Sequence, residues 1–226
     1  TGLFTTFDKA KMHIDAGAKK VVITAPARDE GNEKGETILL GVNEEKFGTC
    51  DITSNASCTT NAASPLIAIL DEALGIEKAI LNTVHGYTAS QSLVDGLSKK
   101  PARPGSAGGD MREGRAAAQN IVPSSTGAAI AVTKAFTKLS GLFDGISIRV
   151  PVVAGSIVDI TFISKKETTA QEVNAILKKA SKDKRWENIF SVTEEPLVSS
   201  DILGSHYGSI ADLAMTRVVG GNLVKV

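Results

Sequence analysis

The residues Ser54-Asn55-Ala56-Ser57-Cys58-Thr59-Thr60-Asn61 combine one of the chain's two cysteines with small polar neighbours, and an apolar segment, Leu66–Leu74, follows close behind. A thiol reacts as its thiolate, and the partial positive charge at a helix N-terminus lowers its pKa. The hydroxyls of Thr59 and Thr60 and the amide of Asn61 supply donors where a reacting carbonyl would sit. The pattern suits a cysteine nucleophile. The other reading of the same residues makes Cys58 a small buried hydrophobe, the commonest fate of a free cysteine.

Such a nucleophile needs a base. Among three histidines, His13 lies in a Lys-rich segment and His206 in a Gly/Ser turn, whereas His85 stands near the end of a strand-like run, Ala79–Tyr87. Lone strand histidines are mostly structural, so spacing leaves both roles open for His85. Two further features suit anions. Ser124-Ser125-Thr126-Gly127 directly precedes a helical pattern, and free N–H groups at a helix start attract phosphate, although Ser and Thr there also serve as caps. Arg149 sits in an otherwise apolar strand, where an unpaired guanidinium is costly; its partner is either a bound phosphate or a structural carboxylate.

The elements that must position these residues are legible from periodicity. Phe7, Ala10, Lys11 and Ile14 fall at helical spacing over Thr6–Ala16, with Gly17 as C-cap. Val21-Val22-Ile23-Thr24 is a β-branched run of the buried parallel kind, ended by Pro26. Ile38–Val42 reads as a second strand and Asp51–Ser54 as a third. A helix between buried strands is a βαβ signature, and ligands of open α/β sheets lie at the carboxyl ends of strands, where Thr24 stands. Ser64-Pro65 has the chemistry of a helix start, which would leave Cys58 in the preceding turn. Leu66, Ile69, Leu70 and Leu74 then form a core face ended by Gly75. Leu97–Gly114 reads as a long polar loop, Ala128–Leu139 as a helix, and Ala170–Lys182 as an amphipathic helix through Val173, Ile176, Leu177 and Ala180. Strands are expected at Ile146–Pro151, Ile157–Ser164, Phe190–Thr193, Ser209–Leu213 and Leu223–Val226, a clustering that gives an α+β layer distinct from the βα start. No G-x-G-x-x-G follows a strand anywhere; the Gly-rich Gly105–Gly109 follows a Pro-rich loop and opens no βα unit.

The bulk numbers narrow the function classes. In 226 residues, 25 Lys and Arg balance 25 Asp and Glu, so neither nucleic acid nor an acidic membrane surface is a natural partner. No apolar run has the length of a membrane span. Two cysteines, Cys50 and Cys58, suggest neither a disulfide framework nor a metal site, and a reducing cytoplasm is the simplest compartment.

SNASCTTN at 54–61, with TVHGYT, GRAAAQNIVPSSTGAA, IRVPV and NLVKV downstream, resembles the phosphorylating glyceraldehyde-3-phosphate dehydrogenases, and the likeness runs in the family's order from TGLF at Thr1 to Val226. The resemblance implies a fold of α/β plus α+β type: the trailing part of a Rossmann NAD-binding domain over residues 1–57, then a mixed-sheet catalytic domain with packed helices over 58–226. It implies that the first half of the dinucleotide domain and the family's WYDNE stretch lie outside these residues. It places the helix start near Cys58, with the proline inside the early turns. It implies Cys58 as nucleophile and His85 as its base and oxyanion donor. Thr88 and Arg149 are implied as substrate-phosphate ligands, and Ser57, Thr59, Thr126 and Gly127 as contacts to substrate or inorganic phosphate. Thr24, with Thr1 and Gly2, would lie beside NAD, NADP remaining open. Arg112 and Arg115 belong to a loop that in the family reaches the active site and a neighbouring subunit.

The reaction so implied is oxidative phosphorylation of glyceraldehyde 3-phosphate with inorganic phosphate, through a cysteine thioester, in a cytoplasmic homotetramer of sugar metabolism. An erythrose-4-phosphate dehydrogenase is the enzymatic alternative, disfavoured by Ser-Ser-Thr-Gly-Ala-Ala; a truncated, non-enzymatic paralogue that binds phosphate or a partner subunit is the other. Ala62 stands where many members carry a second cysteine, and the 97–114 loop is longer than usual.

Overall fold

The computed structural model of the chain describes residues 3–29, 35–97 and 111–226. Thr1, Gly2 and most of the expected 97–114 loop lie outside them.

The first helix, α1 (Phe7–Asp15), starts where Thr6 accepts the Lys9 N–H at 3.1 Å. It packs Phe7 and Ala10 onto Ile23 and Ile52, which belong to β1 (Val21–Ile23) and β3 (Ile52–Ser54). Between these two in sequence comes β2 (Gly35–Thr37). The three form a parallel sheet in the order β1-β3-β2. Gly35 is required beside the helix, because a Cβ there would meet the Phe7 ring at 2.1 Å.

The expected strand over Ile38–Val42 is absent. Asn43 stops it: its Oδ1 accepts the Leu39 N–H at 2.7 Å and its Nδ2 donates to the Thr37 carbonyl at 3.0 Å, folding the chain back after β2. The apolar residues that looked like a strand, Ile38 and Leu39, are buried in that turn instead.

The larger unit is built on α2 (Cys58–Leu74) and β4 (Ile76–Gly86). Its helix begins at Cys58, not at Ser64; Ser57 is the N-cap, accepting the Thr60 N–H at 3.1 Å, and Pro65 is carried inside. Then follow β5 (Val122–Ser125), α3 (Ala128–Ala135), β6 (Phe143–Val150), β7 (Ser156–Ser164) and α4 (Ala170–Ala180). The chain finishes with β8 (Phe190–Thr193), α5 (Ser199–Ile202), β9 (Ser209–Asp212), β10 (Arg217–Val219) and β11 (Leu223–Lys225). A six-stranded mixed sheet runs β10-β11-β7-β4-β6-β5, and β8 pairs with β9 separately. β4 lies at its centre, parallel to β6 and antiparallel to β7.

Three short strands are additions to the expected set: β2, just before the turn at Asn43, β5 and β10. β5 carries Pro123 and two serines, poor strand formers, and is tolerated because among the described residues it is an edge strand paired with β6 alone. β10 folds onto β11 through Gly220 and Gly221, both at positive φ. The helix expected to reach Leu139 breaks at Phe136, and a single 3-10 turn, Thr137–Leu139, completes it.

Period two sorts β4 into faces. Ala79, Leu81, Thr83 and His85 point to the helices, where Leu81, Ile160 and Phe162 pack with Ile67 and Leu70 of α2, Val132 of α3 and Leu177 of α4. Ile80 of β4, Ile146 of β6 and Ile157 of β7 lie on the opposite face and are exposed. The layer between α2 and the sheet is what holds the ends of α2 and β4 in register. We therefore expect Leu81→Ala, which empties the middle of that layer, to lower the free energy of unfolding by about 2–5 kcal/mol in a denaturant titration. A loss below about 1 kcal/mol would mean the layer collapses around the gap and does not set the register.

Candidate active site

β3 and α2 are joined by a three-residue turn, Asn55-Ala56-Ser57, and its conformation decides where the thiol goes. Ala56 adopts φ 58°, a left-handed value that costs a non-glycine residue of the order of 1 kcal/mol. Local bonds fix it. The Ser54 hydroxyl accepts the Ala56 N–H at 3.1 Å while donating to the Ala25 carbonyl at 2.7 Å. The Asn61 amide donates to the carbonyls of Asn55 at 2.7 Å and Ser57 at 2.9 Å. Ser57 and Thr60 close the ring through their hydroxyls at 2.8 Å. The polar residues around Cys58 thus brace the turn and cap the helix, and Thr60 is fully buried.

Cys58 is the first residue of a 17-residue helix and is exposed. Its Sγ lies 3.3 Å from Nε2 of His85, near the carboxyl end of β4. Nδ1 of His85 is 2.6 Å from the Gly86 carbonyl, an acceptor only, so Nδ1 carries its hydrogen and Nε2 faces the sulfur. The pair is electrostatically coupled. His85 draws the Cys58 thiol below the ordinary value by hydrogen bond and charge, against burial, and the Thr59 N–H and hydroxyl help. His85 is raised, first by Cys58 and then by the Gly86 carbonyl, against burial and the repulsion of Arg149. Each shift favours the charged form of its group, the thiolate of Cys58 and the imidazolium of His85.

Arg149 arrives from the next strand, directly opposite His85 in the β4–β6 register. Burial lowers its guanidinium, and the charges of Glu113 and Cys58 act the other way. Its Nε has no hydrogen-bond partner among the described residues, and one terminal nitrogen reaches only the Gly86 carbonyl, at 3.5 Å. A half-buried cation with an unused donor, next to His85 in the sheet register, is chemically suited to hold an anion.

The other expected residues divide. Thr59 is buried at the helix start beside Cys58. Ser57 has its hydroxyl engaged in capping. Thr88 follows β4 by two residues, its hydroxyl 3.0 Å from that of Ser90. Thr126 accepts the Ala128 N–H at 3.1 Å and Gly127 is the N-cap of α3, so both lie at a helix start. Thr24 is exposed just past β1, at the carboxyl edge of the small parallel sheet, where the Asn55 N–H bonds the Ile23 carbonyl at 3.2 Å. Thr1 and Gly2 lie outside the described residues. Arg112 is on the 3-10 turn Met111–Gly114 and exposed; Arg115 is exposed and bonds Asp95 at 3.2 Å. No group of three metal-ligating side chains occurs among the described residues.

Sequence reasoning passes over Glu113 and Ser90. The amide of Asn61, expected as a donor to a reacting carbonyl, instead braces the turn through the Asn55 and Ser57 carbonyls. Glu113 sits between Arg112 and Arg115, which reads as a solvated charge run, yet it is completely buried. We expect alkylation of Cys58 by iodoacetamide to set in below the pH of an ordinary thiol, because the folded protein shifts the thiol towards its thiolate. His85→Gln removes the largest cause and should move the midpoint upward, towards the ordinary thiol range. An unchanged midpoint would detach the thiol from the histidine.

Residues 57–226 match the family described as Glyceraldehyde 3-phosphate dehydrogenase, C-terminal domain. The chain is 45% identical over 220 residues to a glyceraldehyde-3-phosphate dehydrogenase of Mycobacterium avium, covering 97% of this chain and 60% of that protein. It is 46% identical over 226 residues to one from Eremothecium gossypii, and 43% identical over 229 to one from Clostridium acetobutylicum, covering all of this chain and 64% of each protein. The chain thus spans somewhat under two thirds of the length of these relatives. With three quarters of its length inside one family's match, including the cysteine, the histidine and the helix and strand that carry them, the chain belongs to the glyceraldehyde-3-phosphate dehydrogenase family.

Proposed function

We propose that this chain carries the catalytic centre of an oxidoreductase that converts glyceraldehyde 3-phosphate and inorganic phosphate to an acyl phosphate, with NAD as the oxidant. The observation that carries the reading is the Cys58–His85 pair at 3.3 Å, seated on a helix N-terminus beside a half-buried arginine. Residues 1–57 would be the trailing part of the dinucleotide-binding domain and 58–226 the catalytic domain.

The Cys58 thiolate adds to the aldehyde carbon, forming the C–S bond. The oxygen that becomes negative is met by the Nε2–H of His85, and by free N–H groups of the first turn of α2. His85 then takes the proton of the resulting hydroxyl as the carbon is oxidised. The nicotinamide group, when bound, supplies the two-electron acceptor for that oxidation. What Cys58 then holds is a thioester. Inorganic phosphate attacks its carbonyl, the C–S bond breaks, and the thiolate leaves stabilised by His85⁺. Arg149 and Thr88 hold the phosphate of the substrate; Ser57, Thr59, Thr126 and Gly127 lie where substrate or the attacking phosphate is bound, with the start of α3 adding its N–H groups. Thr24, exposed at a strand's carboxyl edge, suits the approach of a dinucleotide.

Assembly and location belong to the same proposal. The exposed Ile80, Ile146 and Ile157 form an open apolar sheet face, the kind of surface a homotetramer covers. The helices among the described residues include none long and apolar enough to cross a membrane, and both cysteines are free, which suits a reducing cytoplasm.

In the protein that contains this chain, Cys58→Ser should abolish NADH formation while leaving the circular dichroism spectrum unchanged; turnover near the parent level would refute the nucleophile. Arg149→Ala should raise KM for glyceraldehyde 3-phosphate by roughly tenfold or more, and leave that for unphosphorylated glyceraldehyde nearly unchanged. Equal effects on both substrates would make Arg149 structural.

A further inference from the structure

Arg149 is acted on by a charge that the reaction above does not use. Glu113, on the turn Met111–Gly114, is 0% exposed. Burying a carboxylate is expensive unless donors and an opposite charge meet it. Here Oε2 accepts the Ser90 hydroxyl at 3.1 Å and Oε1 accepts the Ser124 hydroxyl. Ser90 is two residues beyond Thr88, and Ser124 two residues before Thr126. The main chain repeats the link, with the Ser92 N–H donating to the Glu113 carbonyl at 3.1 Å. One buried carboxylate therefore joins the two segments that bring hydroxyls to the phosphate-binding region.

Its chemistry constrains those hydroxyls. An ionised carboxylate only accepts. The single O–H of Ser90 points at Glu113, so the 3.0 Å contact between Ser90 and Thr88 is filled by the proton of Thr88. Thr88 thus presents lone pairs outward, the wrong polarity for an anion, until that proton turns. Ser124 is held the same way. The Glu113 charge also acts on Arg149, whose Nε has no partner of its own among the described residues.

We propose that Glu113 is a positioning residue that serves as the standing counter-charge of the phosphate site: it balances Arg149 and holds the hydroxyl protons of Thr88 and Ser124 inward, so that the site binds anions weakly and lets them go. This rests on the reading of Arg149 and Thr88 as phosphate ligands. A site that must release a phosphorylated product on every turnover gains from such a brake, because tight product binding limits many enzymes.

The test is binding of inorganic phosphate to the protein that contains this chain, followed by phosphorus NMR titration. Glu113→Gln is nearly isosteric, removes the charge, and offers an amide N–H to one serine, freeing that hydroxyl to donate outward. Phosphate should bind roughly five- to tenfold more tightly. Simple structural damage would weaken binding, so the sign separates the two. Should Glu113→Gln fail to fold, Ser90→Ala frees the Thr88 proton with the charge retained, and it should tighten binding by a smaller factor. Unchanged or weaker phosphate binding in the folded variants overturns the inference. The parent and Arg149→Ala distinguish the levels. If Arg149→Ala leaves phosphate binding of the parent unaltered, the phosphate-site reading falls and this inference with it. If that binding depends on Arg149 but Glu113→Gln does not tighten it, only the role of Glu113 falls.

Discussion

The antiparallel stacking of α2 on β4 is the constraint from which the rest follows. The helix starts where the strand ends, and the strand starts just after the helix ends, at Gly75. Their shared buried layer sets how far each advances, and so brings the sulfur of Cys58 and Nε2 of His85 to 3.3 Å although they are 27 residues apart. Neither residue could find the other by local structure. A slip of one residue along β4 would turn His85 to the opposite face of the sheet. The reactive pair is therefore a product of the core, and its precision is that of close-packed side chains such as Leu70, Leu81 and Ile160.

The same sheet distributes charge. His85 and Arg149 are direct neighbours in the β4–β6 register, so a protonated His85 faces a second cation. Acidic groups offset both: Cys58 raises His85, and the charges of Glu113 and Cys58 raise Arg149 against its burial. The two pairs are not equivalent. Cys58 and His85 are in direct contact, whereas Glu113 makes its hydrogen bonds to Ser90 and Ser124 and acts on Arg149 by charge. Arg149 is left with an unused donor. That asymmetry is what separates a reactive ion pair from a place where an anion can be received.

Much of this was legible before any coordinates. The β-branched run at 21–23 and the helical stripes over 66–74 and 170–180 fall where periodicity puts them, because each buries one face and period reports burial. Periodicity failed where side-chain bonds or topology overrode it. Asn43 turned the apolar Ile38–Val42 out of a strand, and edge position allowed a strand through Pro123. At the site, the residues were visible one by one, but their meeting was not. The resemblance of SNASCTTN and TVHGYT to a family supplied the pairing of Cys58 with His85 that spacing left open. Glu113 escaped both routes. A charged residue between two arginines signals solvent, and only the fold shows that its serine partners come from two different segments.

The row of charges has a consequence for how the site responds to its own ligands. Arg149 repels the imidazolium of His85, and burial opposes it too; Cys58 and the Gly86 carbonyl outweigh both. Any anion that settles on the guanidinium cancels part of that repulsion. His85 then holds its proton more firmly, while the attraction between the guanidinium and the Cys58 charge is reduced. An anion on Arg149 would therefore act on both members of the Cys58–His85 pair through charge alone and in opposite senses: it relieves the repulsion on a protonated imidazole and weakens the pull of the guanidinium on the Cys58 charge.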